Sequence, residues 1–224
     1  MAETTYDWDR PEGILAALND TPLPELRRRA AVVTDLAAVI PLYVSASPSY
    51  RLGNATRYAC NDSGGSSNTL YVTDDGRALL LGLSRDSELH VGRENNGRDF
   101  ANLRDLYRGV PEDLMRYAGD RTDAYENLTV TDRETGASLL LVSGACWFDG
   151  EQWHFARGLL DLCAAEGLNP AFEAGLVPDE YLLGHEFTLE NFFEEYIGPG
   201  VLSDEEWAES VALARPVFER YPQP

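Results

Sequence analysis

The chain has 224 residues, 44% of them hydrophobic, which is apolar surface enough for a sizeable core. Its 38 acids stand against 18 bases, all of them arginine, and leave a formal net charge of -20, which argues against partners that need clustered positive charge: nucleic acid and anionic membrane. No apolar run approaches the ~20 residues of a membrane helix, and Met1–Arg10 carries acids and Trp8 where a secretory leader has a basic stretch and an apolar run, so a cytoplasmic protein is expected.

The N-terminal region, 1–45, reads as helical. A short helix from Pro11 to Leu18 precedes a longer one from Pro24 to Val39, in which Leu26, Ala30, Val33, Ala37 and Ile40 recur on one face until Pro41 stops it. Arg27, Arg28 and Arg29 point in three directions around that helix and are expected on a solvated face. The centre, 46–155, reads as antiparallel sheet. One hairpin joins Thr69–Thr73 to Ala78–Leu83 through Asp74, Asp75 and Gly76, and a second joins Leu128–Thr131 to Ser138–Val142 through Glu134–Gly136. Two helices, Asp99–Tyr107 and Pro111–Tyr117, fall between them, and a third tight turn is centred on Asp149 and Gly150.

The C-terminal region, 156–224, reads as helical again, with segments from Ala156 to Ala165, from Leu189 to Ile197 and from Asp204 onward. Leu189, Phe192, Phe193, Tyr196 and Ile197 make an apolar stripe with Glu190 and Glu194 off it. Ser203 and Glu206 have the spacing of a capping box, and Pro216 predicts a kink or break in the last helix. The expected fold is a single α+β domain over 1–224: a central antiparallel β-meander of about five strands between N- and C-terminal helices.

No nucleotide-binding, zinc-protease, nucleophile-elbow or CxxC motif is present, so neither a cofactor nor a metal is expected. The loop from Asn61 to Asn68 is rich in Ser and Gly but runs into a strand and holds no base, which favours a plain surface loop over an anion cradle. His90, His154 and His185 are the only histidines. His185 beside Glu186, and Asp149 and Glu151 around the turn before His154, have the residue types of a general acid–base pair. Cys60, Cys146 and Cys163 sit in apolar contexts that predict inert thiols, Cys146 with His154 being the alternative nucleophile.

Charge is unevenly spread. Residues 165–224 hold 13 acids and 2 arginines, so this stretch carries more than half of the excess. The run is Asp179, Glu180, Glu186, Glu190, Glu194, Glu195, Asp204, Glu205, Glu206 and Glu209. A helix N-terminus accounts for Asp204, Glu205 and Glu206; Glu190, Glu194, Glu195 and Glu209 lack that reason and are either plain solubilising charge or a field that would attract a basic partner and speed its association. In layout and charge the chain resembles the immunity proteins that neutralise bacterial toxins. That resemblance implies a basic protein partner, such as a toxin, bound through Glu190, Glu194, Glu195 and Glu209, with Asp149, Glu151 and Trp153 of the turn contributing. A small hydrolase or transferase using His154 or His185 with a carboxylate is the competing expectation. A regulatory scaffold would share the acidic surface and differ only in its partner.

Overall fold

The computed structural model describes residues 6–62, 64–89, 100–120 and 129–223. His90, Asp99 and Leu128, named above, lie outside them. Two helices open the chain, α1 (Pro11–Asp20) and α2 (Leu23–Val39), each with a proline in its first turn, where no N–H is needed. Four strands follow: β1 (Ala46–Leu52), β2 (Ala55–Asn61), β3 (Ser67–Thr73) and β4 (Ala78–Leu83). After α3 (Phe100–Leu106), α4 (Glu112–Ala118) and a short hairpin of β5 (Thr129–Thr131) and β6 (Ser138–Leu140), the chain returns through β7 (Gly144–Phe148) and β8 (Trp153–Phe155). The main sheet has the antiparallel order β1-β2-β3-β4-β7-β8, and among the described residues β5 and β6 pair only with each other. The fold is α+β, with a six-stranded meander between helices.

The β1–β2 hairpin adds to the strands expected from sequence. Its turn is Gly53 and Asn54, with Gly53 at φ +60, a conformation that favours glycine. Strand alternation then sorts the sheet into two faces. Tyr50, Arg57, Tyr71, Leu79, Trp147 and His154 stand opposite one another in successive strands and share one face, where Tyr117 of α4 stacks on Tyr71 at 5.4 Å between ring centroids. Tyr58, Leu70, Leu80, Cys146 and Phe155 form the equivalent row on the other face, towards α2 and the C-terminal segments.

Two paired glycines, Gly82 of β4 and Gly144 of β7, decide what lies on that second face. A Cβ on Gly82 would fall 2.4 Å from the Ala174 carbonyl oxygen, and one on Gly144 would fall 2.6 Å from Ala174 Cα. The missing side chains let the backbone of α6 (Pro170–Ala174), which follows α5 (Arg157–Glu166), rest directly on the sheet. Buried Glu173 ties α6 to the segment after β4, accepting from the Ser87 hydroxyl at 2.6 Å and the Glu88 N–H at 2.7 Å.

Beyond α6 lie a 3-10 turn (Asp179–Tyr181), a short helix α7 (Leu189–Asn191) continuing into a π-helical turn (Phe192–Ile197), and α8 (Asp204–Arg220). The π turn, closed by Gly198 N–H on the Phe193 carbonyl, buries Phe192, Phe193 and Ile197 and leaves Glu194 and Glu195 outside. Ser203 and Glu206 form the reciprocal cap that their spacing predicts. Pro216, however, does not break α8. Ala212, whose carbonyl loses the proline's N–H, and Pro216 itself are both exposed, so that carbonyl is not shut away from solvent, while Ala214 and Val217 hold the buried face.

The three arginines also depart from expectation. Only Arg27 is exposed. Arg29 is 7% exposed and donates to the carbonyls of Tyr181 (2.8 Å), Leu182 (2.7 Å) and His185 (3.1 Å), and to Glu25 at 2.8 Å. Arg28 reaches Glu25, the Phe187 carbonyl at 3.1 Å and the Tyr221 carbonyl at 3.0 Å. Together they clamp the C-terminal segments to α2.

Candidate functional site

The turn between β7 and β8 brings Asp149 and His154 together, with Asp149 Oδ2 and His154 Nε2 2.8 Å apart. The imidazole also stacks on Trp147, centroid to centroid 4.5 Å. Asp149 accepts from the N–H groups of Gln152 and Glu151, and these bonds with that from His154 hold its carboxyl down at about 2. The same bonds shape the turn. Glu151 is exposed.

Two sequence expectations at this turn need correction. Trp153 is 2% exposed and packs on Phe148, so it belongs to the core and offers almost no surface to a partner. Cys146 stands opposite Phe155, whereas His154 stands opposite Trp147; strand alternation therefore puts thiol and imidazole on opposite faces of the sheet. Cys146 is also fully buried, and that burial pushes its thiol well up, away from the nucleophilic thiolate.

The C-terminal acids lie elsewhere. Glu186, Glu190, Glu194, Glu195, Glu205 and Glu209 are exposed on the segments carried by α7, the π turn and α8. Beside them opens a cleft of about 730 Å³, walled by the N-terminal segment at Trp8, by α6 at Phe172, and by Asp179, His185, Glu195 and Tyr196. A second arm of about 310 Å³ shares the wall at Asp179 and Tyr196 and runs between the β2–β3 loop and the 3-10 turn, reaching Asp62, Asn68 and Glu180. His185 thus lines a cleft with acids, although its sequence neighbour Glu186 is not among the lining residues.

The Arg29 clamp sets the cleft's floor. Its three carbonyl acceptors belong to Tyr181, the last residue of the 3-10 turn, to Leu182 and to His185, and Leu182 is a non-glycine residue held in the left-handed region at φ 47. The acids in the cleft differ in character. Glu180 is 5% exposed; burial, with the neighbouring Asp179 charge, pushes its carboxyl up, and its hydrogen-bond partners include Tyr196 Oη at 3.4 Å. Asp179 is raised in the same way, by desolvation and then by the Asp62 charge. Asp62 itself is held down against its desolvation by the N–H groups of Ser66 and Gly64. The Asn61–Asn68 loop therefore aims those two amides at its own carboxylate.

Among the described residues no group of three or more His, Cys, Asp or Glu has metal-site geometry, and no helix is long and apolar enough to cross a membrane. The cleft has no local sequence signature, since it joins residues near position 8, the β2–β3 loop and residues 171–196. Asp179-Glu180-Tyr181, acids set between Pro178 and Leu182, was the one pointer available. The chain matches no protein-family model, and neither curated proteins nor solved structures gave a match.

Proposed function

We propose that the protein binds a basic protein partner through its C-terminal acidic face, in the manner of an immunity protein neutralising a toxin. The observation that carries this reading is that Glu190, Glu194 and Glu209 are exposed and their carboxylates have no hydrogen bond or ion pair with any described residue. On α8, Glu205 and Glu209 are four residues apart, a like-charge spacing that costs roughly 0.2–0.5 kcal/mol. A cationic surface laid over these carboxylates removes that repulsion, and their field speeds its approach.

The test is paired capture from the source organism's lysate on immobilised wild type and on the Glu190→Gln/Glu194→Gln/Glu209→Gln variant, which leaves the cleft residues in place. A basic protein held by the first at low salt, released by high salt and absent from the second supports the reading. Identical bound sets, or no bound basic protein, contradict it.

A second reading, a hydrolase or transferase, draws on the raised carboxyls of Asp179 and Glu180 in the same cleft as His185, since displaced pKa values gather at active sites. Its test is turnover against ester and phosphoester panels, with loss in His185→Ala at unchanged stability.

A further inference from the structure

We propose that the two-armed cleft beside the acidic face is the seat for a guanidinium side chain of the basic partner, with Asp179 and Glu195 taking its N–H groups and Phe172, Trp8 and Tyr196 its flat faces. This rests on the proposed function and specifies the contact that gives it selectivity.

Four observations support the assignment. The first is the exposed aromatic surface: Phe172 is 65% exposed and Trp8 38%, while their neighbours in the same wall, Ala171 and Ile14, are buried. Large apolar side chains left open at the mouth of a cleft mark a contact surface. The second is charge. Both arms are lined by carboxylates, and among the described residues neither is lined by an arginine.

The third lies in the wall of the smaller arm, which Asn68 and Glu180 help to line. Asn68 Oδ1 is buried and has no hydrogen-bond partner among the described residues, and the nearly buried Glu180 carboxyl lines the same space. An acceptor without a donor costs free energy until a donor arrives, and a guanidinium brings five in one plane. The fourth is a precedent within the chain. Arg28 and Arg29 set their guanidiniums 5.3 and 5.2 Å from the Phe187 ring centroid while Glu25 takes their N–H groups. Aromatic face plus carboxylate is the same combination that the cleft presents to solvent.

The choice of guanidinium over ammonium follows from shape. A planar, weakly hydrated cation stacks on an aromatic ring and pairs with a carboxylate at once, whereas an ammonium is a compact, strongly hydrated charge. Arms of about 730 and about 310 Å³ also fit a long side chain together with its flanking backbone.

The test measures binding of hexa-arginine and hexa-lysine peptides by calorimetry at about 0.15 M salt, where long-range attraction is screened beyond ~8 Å. The wild type is expected to prefer hexa-arginine by about fivefold or more, and Phe172→Ser and Asp179→Asn each to weaken hexa-arginine about tenfold and to erode that preference. Both positions are exposed, so the fold should be kept, and urea unfolding of each variant checks this. The Glu190→Gln/Glu194→Gln/Glu209→Gln variant is expected to weaken both peptides alike. Equal affinity for the two peptides, or hexa-arginine affinity unchanged in Phe172→Ser and Asp179→Asn, overturns the cleft as the seat while leaving the acidic face as a binding surface. If neither peptide binds the wild type, both readings are overturned.

Discussion

Arginines 27, 28 and 29 allow a graded prediction, because one residue type occupies three consecutive positions in three environments. Arg29→Ala removes three hydrogen bonds to carbonyls and one to Glu25. Glu25 keeps Arg28 through two bonds of 2.6 and 2.8 Å, so it is not left as an orphaned charge. The loss therefore falls on the carbonyls of Tyr181, Leu182 and His185, each ~1–3 kcal/mol if left unsatisfied. Relaxation of the segment and entry of water reduce the sum to about 3–5 kcal/mol, the range for breaking a buried charged contact. Arg28→Ala, which frees two carbonyls nearer the surface, is expected to cost about 2–3 kcal/mol. Arg27→Ala, on the exposed side, should stay within about 0.5 kcal/mol of wild type. Urea denaturation reads all three from midpoints at equal slope. Arg29→Lys keeps the charge but lacks the planar fork, and it should fall between wild type and Arg29→Ala. An Arg29→Ala variant within about 1 kcal/mol of Arg27→Ala would refute the clamp and with it the physical account of how the cleft floor is held.

Three other expectations follow from the same geometry. Glu180 has a folded pKa raised above its unfolded value, so its ionisation erodes stability as pH rises from the unfolded towards the folded pKa; Glu180→Gln should be more stable than wild type at pH 7 and lose that advantage near pH 4, and an advantage independent of pH contradicts it. Asp149 should titrate at about 2 by carboxyl-carbon NMR and move upward in His154→Ala, since one of the bonds that depress it is lost; an unmoved midpoint means the imidazole contributes nothing. Gly82→Ala should destabilise by about 1–3 kcal/mol through collision with the Ala174 and Gly175 carbonyls, whereas Gly76→Ala, with open space around it, should show only the cost of its turn conformation; equal losses would argue that α6 is not seated on the glycine pair.

What the sequence revealed was what local chemistry determines. The β3–β4 hairpin was legible because Asp74, Asp75 and Gly76 separate a pair of runs rich in β-formers, and the cap of α8 was legible because Ser203 and Glu206 meet within one turn. The β1–β2 hairpin was hidden although its Gly53-Asn54 turn was in plain view. Its first strand contains Pro48 between two serines and is an edge strand whose register shifts between Ser47 and Tyr50, where a missing N–H does no harm. Local pairing also predicted the β5–β6 hairpin without revealing that it stands apart from the main sheet.

The acidic face was visible as composition, but the cleft was not. Periodicity cannot report that Trp8, Asn68, Phe172 and Tyr196 converge on one space, because their contacts are set by the α6 seat and the Arg29 clamp rather than by neighbours in sequence. Nor could it separate the three arginines: their directions around α2 follow from helical spacing, yet which direction meets the C-terminal chain depends on the packing of residues more than 150 positions away.

The measurement that bears most directly on the central claim is the association rate of the captured basic partner as a function of ionic strength, by stopped flow, for wild type and for Glu190→Gln/Glu194→Gln/Glu209→Gln. Electrostatic steering predicts a wild-type rate that falls steeply with salt and a variant that starts slower and declines less, the two converging at high salt. Parallel curves of equal rate would contradict the account, because the exposed carboxylates would then play no part in bringing the partner in.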